Sequence, residues 1–351
     1  MSKKKKIIII VIAVIAVLII AALIAAYLVF SHYYGLMDYQ DADAESWEYV
    51  EDDEEEETSD LEEASESEVA QIEADIEANL EGITEWEGNF YNILLIGVDS
   101  RSNSNTGRSD CMILITINQD NNTITMTSFL RDIYCYIPGY GYNRLNTAYA
   151  YGGASLLKNT IYQNFGISVD SYMVVNFYTV ASLIDAVGGV DLEVTAEEIE
   201  VMNTYIAAQN KLFGNATGTD IISTSDAGYM HLTGNQALAY ARVRYVGSDF
   251  ARTGRQRQVI ELVYEKAMDM SAGELLAIVE EFLPQVTTDI SQSDCLSLLL
   301  TFVIGGSDYT INSMAIPQTG TWSNANIDGK AVLTIDFSAN ASAWYATVTA
   351  E

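Results

Sequence analysis

The strongest pattern in the chain is an unbroken apolar run from Ile7 to Phe30, counting Tyr27. A helix of that length crosses a hydrocarbon core of roughly 30 Å, so this run is read as a transmembrane signal anchor behind a short basic tail over 1–6. The pattern then reverses. From residue 31, and most densely from Asp38 to Glu87, the chain is dominated by Glu, Asp, Ser and Ala, which predicts a solvated, disordered stalk over 31–87. Within it Val69, Ile72, Ile76 and Leu80 recur at three- and four-residue steps, enough for a short helix over Ser67–Leu80.

From residue 88 the periods alternate. Asn92–Val98 is a short apolar run, and Met112–Ile117 and Thr123–Phe129 are β-rich segments joined by a turn-forming Asn/Asp stretch. Helices are predicted over Ala154–Phe165, Phe177–Val187, Asn235–Arg242, Arg252–Met270, Glu274–Phe282 and Gln292–Val303. Further strands are predicted at Tyr172–Val175, at Asp191–Val194, near Tyr309–Ala315 and at Val332–Ile335. Strands that alternate with helices predict an α/β fold whose central sheet is covered on both faces. The expected organisation is a catalytic domain over 88–270 with a C-terminal extension over 271–351 packed on it. Val174, Val175, Phe177, Val180, Leu183, Ile184 and Val187 form an apolar face that suits core, or in part a groove for a lipid tail.

Charge sharpens this layout. The net charge is -32, and residues 38–87 hold 23 of the 49 acids with no Lys or Arg, leaving 26 acids against 17 bases elsewhere. So acidic a chain is no general nucleic-acid binder. Lys3–Lys6 precede the apolar run and acids follow it, which places the N-terminus in the cytoplasm and the folded part on the extracytoplasmic face of the plasma membrane. A secretory signal peptide is the rival, but its apolar region runs to only about 7–15 residues. Cys111, Cys135 and Cys295 are odd in number and read as buried free thiols.

All nine arginines lie between Arg101 and Arg257, in blocks beside Asp99, Asp110, Asp132 and Asp249 at the ends of predicted strands or starts of predicted helices. Such positions build ligand crevices in α/β sheets. Guanidinium forks grip phosphate in two places, so the blocks point to a phosphate or pyrophosphate ligand, although any one arginine can equally pair with a neighbouring Asp. Asp99 and Asp110 beside them suit Mg²⁺ or Mn²⁺, which borrows phosphate oxygens. No zinc spacing, P-loop or serine-nucleophile elbow is present, and His231 reads as structural.

Seven ordered motifs then closely resemble the LytR-CpsA-Psr family: NILLIGVDSR at 92–101, RSD at 108–110, SFLRD at 128–132, RLNTAYAYGG at 144–153, DAVGGVDL at 185–192, LTGNQALAYARVR at 232–244 and DFARTGRQRQ at 249–258. The resemblance implies a central mixed β-sheet between helices, with a polyprenyl tail in an apolar tunnel. It also implies a phosphotransferase that moves a glycopolymer, such as teichoic acid or capsular polysaccharide, from undecaprenyl pyrophosphate to peptidoglycan through a phosphodiester bond. Carried over, it makes Asp99 and Asp110 the metal ligands. Arg108, Arg131, Arg242 and Arg244 become pyrophosphate ligands, completed by Arg252, Arg255 and Gln256; Asp99, Arg131 and Arg242 are the catalytic candidates, and Asp132 and Asp249 orient the arginines. Leu130 stands where many members have Pro, and Arg144 where Lys is common. Hydrolysis of the lipid-linked pyrophosphate and a non-catalytic regulatory or polymer-binding role remain as alternatives, and Asp99, Asp110 and Asp132 are open candidates for the base.

Overall fold

Apolar runs with side chains buried on both faces belong in the interior of a sheet, and those of this chain form the middle of one. The computed structural model describes residues 26–40, 61–98, 109–244, 246, 248–305 and 309–350. Up to the middle of the chain its elements are β1 (Asp38–Tyr39), α1 (Glu66–Glu81), β2 (Phe90–Val98), β3 (Ser109–Asn118), β4 (Thr123–Phe129), β5 (Tyr134–Ile137), β6 (Gly141–Arg144), α2 (Leu145–Phe165) and β7 (Ser171–Asn176). Then follow α3 (Phe177–Ala186), β8 (Val190–Val194), α4 (Ala196–Phe213), β9 (Gly228–Leu232), α5 (Gly234–Arg242), α6 (Asp249–Met268) and α7 (Ala272–Phe282). The last are β10 (Thr287–Thr288), α8 (Gln292–Gly305), β11 (Thr310–Ile316), β12 (Trp322–Ile327), β13 (Lys330–Ile335) and α9 (Phe337–Val348).

Seven strands pair in the order β1-β10-β7-β2-β3-β4-β11. β2 runs antiparallel to β3 and parallel to β7, β3 antiparallel to β4, and β4 parallel to β11, so the sheet is mixed, as expected. On one face Leu94, Ile96, Met112, Leu114 and Phe129 pack with residues of α2 and α9. On the other, Ile93 and Ile117 pack with Ile290 and with Cys295 and Leu298 of α8. A second cluster joins Ile184, Val190, Ile199, Met202 and Tyr240. It rests on α4, a helix absent from the predicted elements although Thr195 and Glu198 form a capping box at its start.

Three expectations meet the structure here. Val174, Phe177, Ile184 and Val187 are all less than a tenth exposed and belong to the core, the first of the two readings of that face. Residues 271–351 are more than an extension: β10 and β11 lie within the main sheet, and Trp344 of α9 is 1% exposed in its core.

The third concerns the stalk. Ser65 caps α1, its side chain accepting from Glu68 N while Glu68 returns a bond to Ser65 N at 2.8 Å. Ile76 is buried in the main core with Val69, Ile72 and Leu80 packed beside it, and Trp86 stacks on Tyr345 at 4.8 Å. Residues 61–87 are therefore part of the folded domain. Their acidic composition masked an apolar stripe long enough to dock. Ser65→Ala is expected to destabilise the domain by about 1 kcal/mol, the usual cost of losing such a cap; a urea midpoint identical to that of the parent chain would contradict this assignment.

Most of Ile7–Phe30 lies outside the described residues. Residues 26–34 are helical, and no helix among the described residues is long and apolar enough to cross a membrane. The segment that follows is docked on the domain: Tyr34 Oη donates to the Ile290 carbonyl at 2.9 Å, and β1 pairs with β10.

Candidate active site

β3 begins on the side of the sheet where the motifs meet. Between Gly97 and Val98 of the neighbouring β2 the register shifts, and a Cβ on Gly97 would lie 2.9 Å from that of Cys111. Glycine there makes room for the Cys111 side chain, and burial pushes that thiol to about 12. The next residue toward the strand end is Asp110. Its Oδ1 lies 3.3 Å from Arg131 Nη1 and 3.3 Å from Arg244 Nη2, joining residues 134 positions apart. Burial alone would raise the Asp110 carboxyl, but Arg131, Arg244 and Arg252 together hold it below the ordinary carboxylate range. It is a carboxylate at the centre of three guanidiniums.

Arg131, 8% exposed, leaves β4 and also reaches Asp132 Oδ2 through Nε at 3.3 Å. Asp132 faces Arg144 Nε at 3.6 Å, and Arg144 Nε donates to the Ala331 carbonyl at 3.1 Å. Asp132 therefore orients arginines as expected, while Arg144 ties the Arg131–Asp132 loop to β13. Asp249 pairs with Arg252 at 2.8 Å at the start of α6. Burial raises the Asp249 carboxyl; Arg252 opposes this and Asp132 reinforces it.

Arg242 sits differently. Its guanidinium lies over the Phe177 ring at 4.3 Å and 4.9 Å from the Tyr205 ring, with Nη1 donating to Gln209 at 3.3 Å. It occupies a wall built by α3 and α4, two residues before Arg244. Arg255 is tied into the scaffold. Its Nε donates to Glu198 at 2.9 Å, and Nη1 and Nη2 donate to the carbonyls of Val243 and Val246 at 3.0 and 2.6 Å. Three of its five N–H groups hold α4 and the backbone next to Arg244. Asp99, Arg101 and Arg108 lie outside the described residues.

The other face of α6 leaves polar atoms waiting. Arg252 Nε, Arg257 Nε and Gln256 Oε1 are buried without a hydrogen-bond partner. Buried donors left unpaired cost about 1–3 kcal/mol each, so such a cluster indicates a ligand. Gln256 fits this: turned about its last torsion, its amide presents N–H groups in place of the oxygen. Arg257, which the motif reading left out of the pocket, donates from Nη1 to Ser128 Oγ at 2.6 Å. Its signal was its spacing, one turn before Ile260 and Glu261.

Those residues open onto an apolar groove of about 390 Å³ lined by Ile115, Ile117, Ile124, Met126, Ile260 and Tyr264, among others. On β4 the same face runs Ile124, Met126, Ser128, and on β3 it runs Ile117, Ile115, Ile113, Cys111. At about 3.3 Å per residue the groove begins about 17 Å along β3 from Asp110, with Arg257 and Ser128 between the groove and the arginines. The groove and the arginine cluster thus lie at two ends of one sheet face, with the buried Ile113–Ser128 pair between them.

Carboxylate oxygens are the donors Mg²⁺ and Mn²⁺ prefer, and an ionised Asp110, whose contacts to Arg131 and Arg244 both go to Oδ1, fits that role through Oδ2. Among the described residues no group of three or more metal-ligating side chains occurs.

Comparison with known proteins returns one family model, the LytR_cpsA_psr family, matching residues 46–346. A polyisoprenyl-teichoic acid–peptidoglycan teichoic acid transferase TagU from Halalkalibacterium halodurans is 34% identical over 239 residues, which are 66% of this chain and 70% of that relative. Its namesake from Enterococcus faecalis is 33% identical over 60% of this chain and 65% of its own length. Among solved structures, a LytR-CPS2A-psr family protein, YwtF (TagT), with bound octaprenyl pyrophosphate lipid superposes with a TM-score of 0.53 at 23% identity, covering 76% of this chain and 92% of that one. That likeness establishes the fold.

Proposed function

The chain belongs to the LytR_cpsA_psr family, and from that premise we propose that it transfers a glycopolymer carried on a polyprenyl pyrophosphate to peptidoglycan, forming a phosphodiester bond. The observation that carries this reading is an apolar groove beside α6 on the same sheet face that leads, one strand pair on, to Arg257 and then to the arginine cluster around Asp110. One ligand matches both: a hydrocarbon tail joined to a pyrophosphate. The relatives named as teichoic acid transferases support a teichoic acid as the polymer.

The tail lies against Ile115, Met126, Ile260 and Tyr264, and the pyrophosphate takes the donors of Arg131, Arg244, Arg252 and Gln256, with Arg257 at the junction. A peptidoglycan hydroxyl oxygen forms the new bond to the polymer-proximal phosphorus, and the P–O bond bridging to polyprenyl phosphate breaks. The guanidiniums neutralise the charge that gathers on the leaving phosphate, as positioning and charge do in phosphoryl transfer. The hydroxyl proton goes to a carboxylate. Asp249 suits this better than Asp110, because burial holds its carboxyl above the ordinary range and Asp110 is occupied by two guanidiniums. Mg²⁺ or Mn²⁺ held by Asp110 and Asp99 would supply further charge neutralisation when bound. The apolar run Ile7–Phe30 anchors the protein in the plasma membrane, with its N-terminus in the cytoplasm and the domain on the extracytoplasmic face.

The decisive experiment incubates the full chain with a lipid-linked glycopolymer, Mg²⁺ and peptidoglycan oligomers, and weighs the products. A phosphodiester-linked conjugate is expected; free polymer with no conjugate would mean hydrolysis instead. In the same assay Arg257→Ala should raise the KM for the lipid-linked donor about tenfold, the loss of one charge-assisted hydrogen bond. An unchanged donor KM would remove Arg257 from the junction.

A further inference from the structure

On the opposite face of the sheet from the apolar groove, α1, the β12–β13 hairpin and the start of α9 enclose an open cleft of about 710 Å³. Its lining is of two kinds. Tyr134 and Trp322, buried and half-buried, offer ring surface, while Asp75, Asn79, Thr334 and Asp336 offer hydrogen-bonding groups nearer the solvent. One wall is shared with the arginine centre: the Trp322 ring lies 5.3 Å from that of Phe250, which follows Asp249, and Leu333 N donates to the Asp132 carbonyl at 2.8 Å. The cleft wall thus touches, through Trp322 and Phe250, the start of the helix that carries Asp249.

Resting on the transferase reading, we propose that this cleft binds the acceptor as a chain of N-acetylated amino sugars. Sugar rings expose C–H faces that lie flat on aromatic rings, and their hydroxyl and amide groups pair with carboxylates and side-chain amides at the edges. The two other substrates of the reaction are poor matches. A hydrocarbon tail would desolvate Asp75, Asn79 and Asp336 without pairing them. A polymer of phosphates would meet Asp75 and Asp336 in the lining and Glu73 and Glu77 on α1, like charges that oppose it. The acceptor strand thereby reaches the phosphorus from the side of Phe250 and Asp249, across the sheet from the lipid.

The test uses the full chain in detergent micelles and, as probe, a soluble tetrasaccharide of the peptidoglycan glycan strand. Calorimetric titration should show binding that weakens about tenfold in Trp322→Ala. Because that change also removes a contact with Phe250, Ser338→Trp, which fills the cleft mouth from an exposed position, serves as the second variant and should weaken binding at least as much. In the transfer assay both variants should raise the acceptor KM about tenfold and leave the donor KM alone. No tetrasaccharide binding by the parent chain, binding by both variants as tight as the parent's, or displacement of the tetrasaccharide by the phosphate-rich polymer would each overturn the proposal. Tetrasaccharide binding without any conjugate would leave the cleft standing and sink the transferase reading. Conjugate formed with an unaltered acceptor KM in both variants would do the reverse.

Discussion

Arg131→Ala is expected to slow glycopolymer transfer by about 100- to 1000-fold, the usual consequence of removing one preorganised donor from a charged transition state. Arg131 is buried and touches two carboxylates, Asp110 at 3.3 Å and Asp132 at 3.3 Å. Truncation withdraws a cation from the pyrophosphate and exposes the ligand to both negative charges at once. Arg131→Lys restores charge without the planar fork, so it should recover only part of the loss. Initial rates of conjugate formation by mass spectrometry, beside thermal melts that confirm the fold, decide the matter. A fall of less than twofold would take Arg131 out of the catalytic machinery.

Gly234→Ala should be strongly damaging, although it adds only one methyl group. The new Cβ would stand 1.8 Å from the Ala181 carbonyl oxygen and 2.9 Å from Asp185 Cγ, both on α3. Gly234 N also donates to Asp185 Oδ1 at 2.6 Å, so the approach of the two helices is a bonded one. Forcing them apart costs about 3 kcal/mol, or on the order of 10 °C in Tm. Arg242 ends the displaced helix, with its guanidinium held over Phe177 of α3. Activity measured well below the melt should therefore fall too. A variant that melts within about 2 °C of the parent, roughly 1 kcal/mol, would show that the two helices do not need this contact.

How much of this was legible beforehand differs from residue to residue. The central strands β2, β3, β4 and β7 were, because strand periodicity is written locally, whereas short strands such as β5, β6 and β10 have too few residues to show a period. The direction in which each arginine faces was not. Arg252, Arg255 and Arg257 lie within two turns of α6, yet Arg252 and Arg257 keep buried unpaired nitrogens while Arg255 is held by Glu198. Glu198 belongs to α4, so missing that helix hid the partner that ties Arg255 into the scaffold. α1 itself was legible from Val69, Ile72, Ile76 and Leu80, but its docking was not: a window dominated by Glu and Asp reads as a solvated stalk, although four apolar side chains on one stripe suffice once Tyr134, Phe165 and Phe337 are there to receive them. The apolar face of β7 and α3 read as core and is core, but the open groove between α6 and the sheet was not legible, because hydrophobicity alone does not distinguish a face covered by a neighbour from one left open.

The pairing of β1 with β10 also sets how far the enzyme can work from its anchor. Residues 38–40 are hydrogen-bonded to β10 and Ala64 N to the Asn326 carbonyl, so the acidic residues 41–60 join two points already fixed on the domain. They lengthen the chain without lengthening the leash. With Ile7–Phe30 in the bilayer as proposed, the leash is Ser31–Met37, no more than about 25 Å at full extension and shorter because 26–34 is helical. A domain so tethered would patrol a thin layer just above the lipid headgroups. A lipid-linked donor could then remain rooted in the leaflet while it reacts, and the acceptor strand would be whichever lies nearest the membrane.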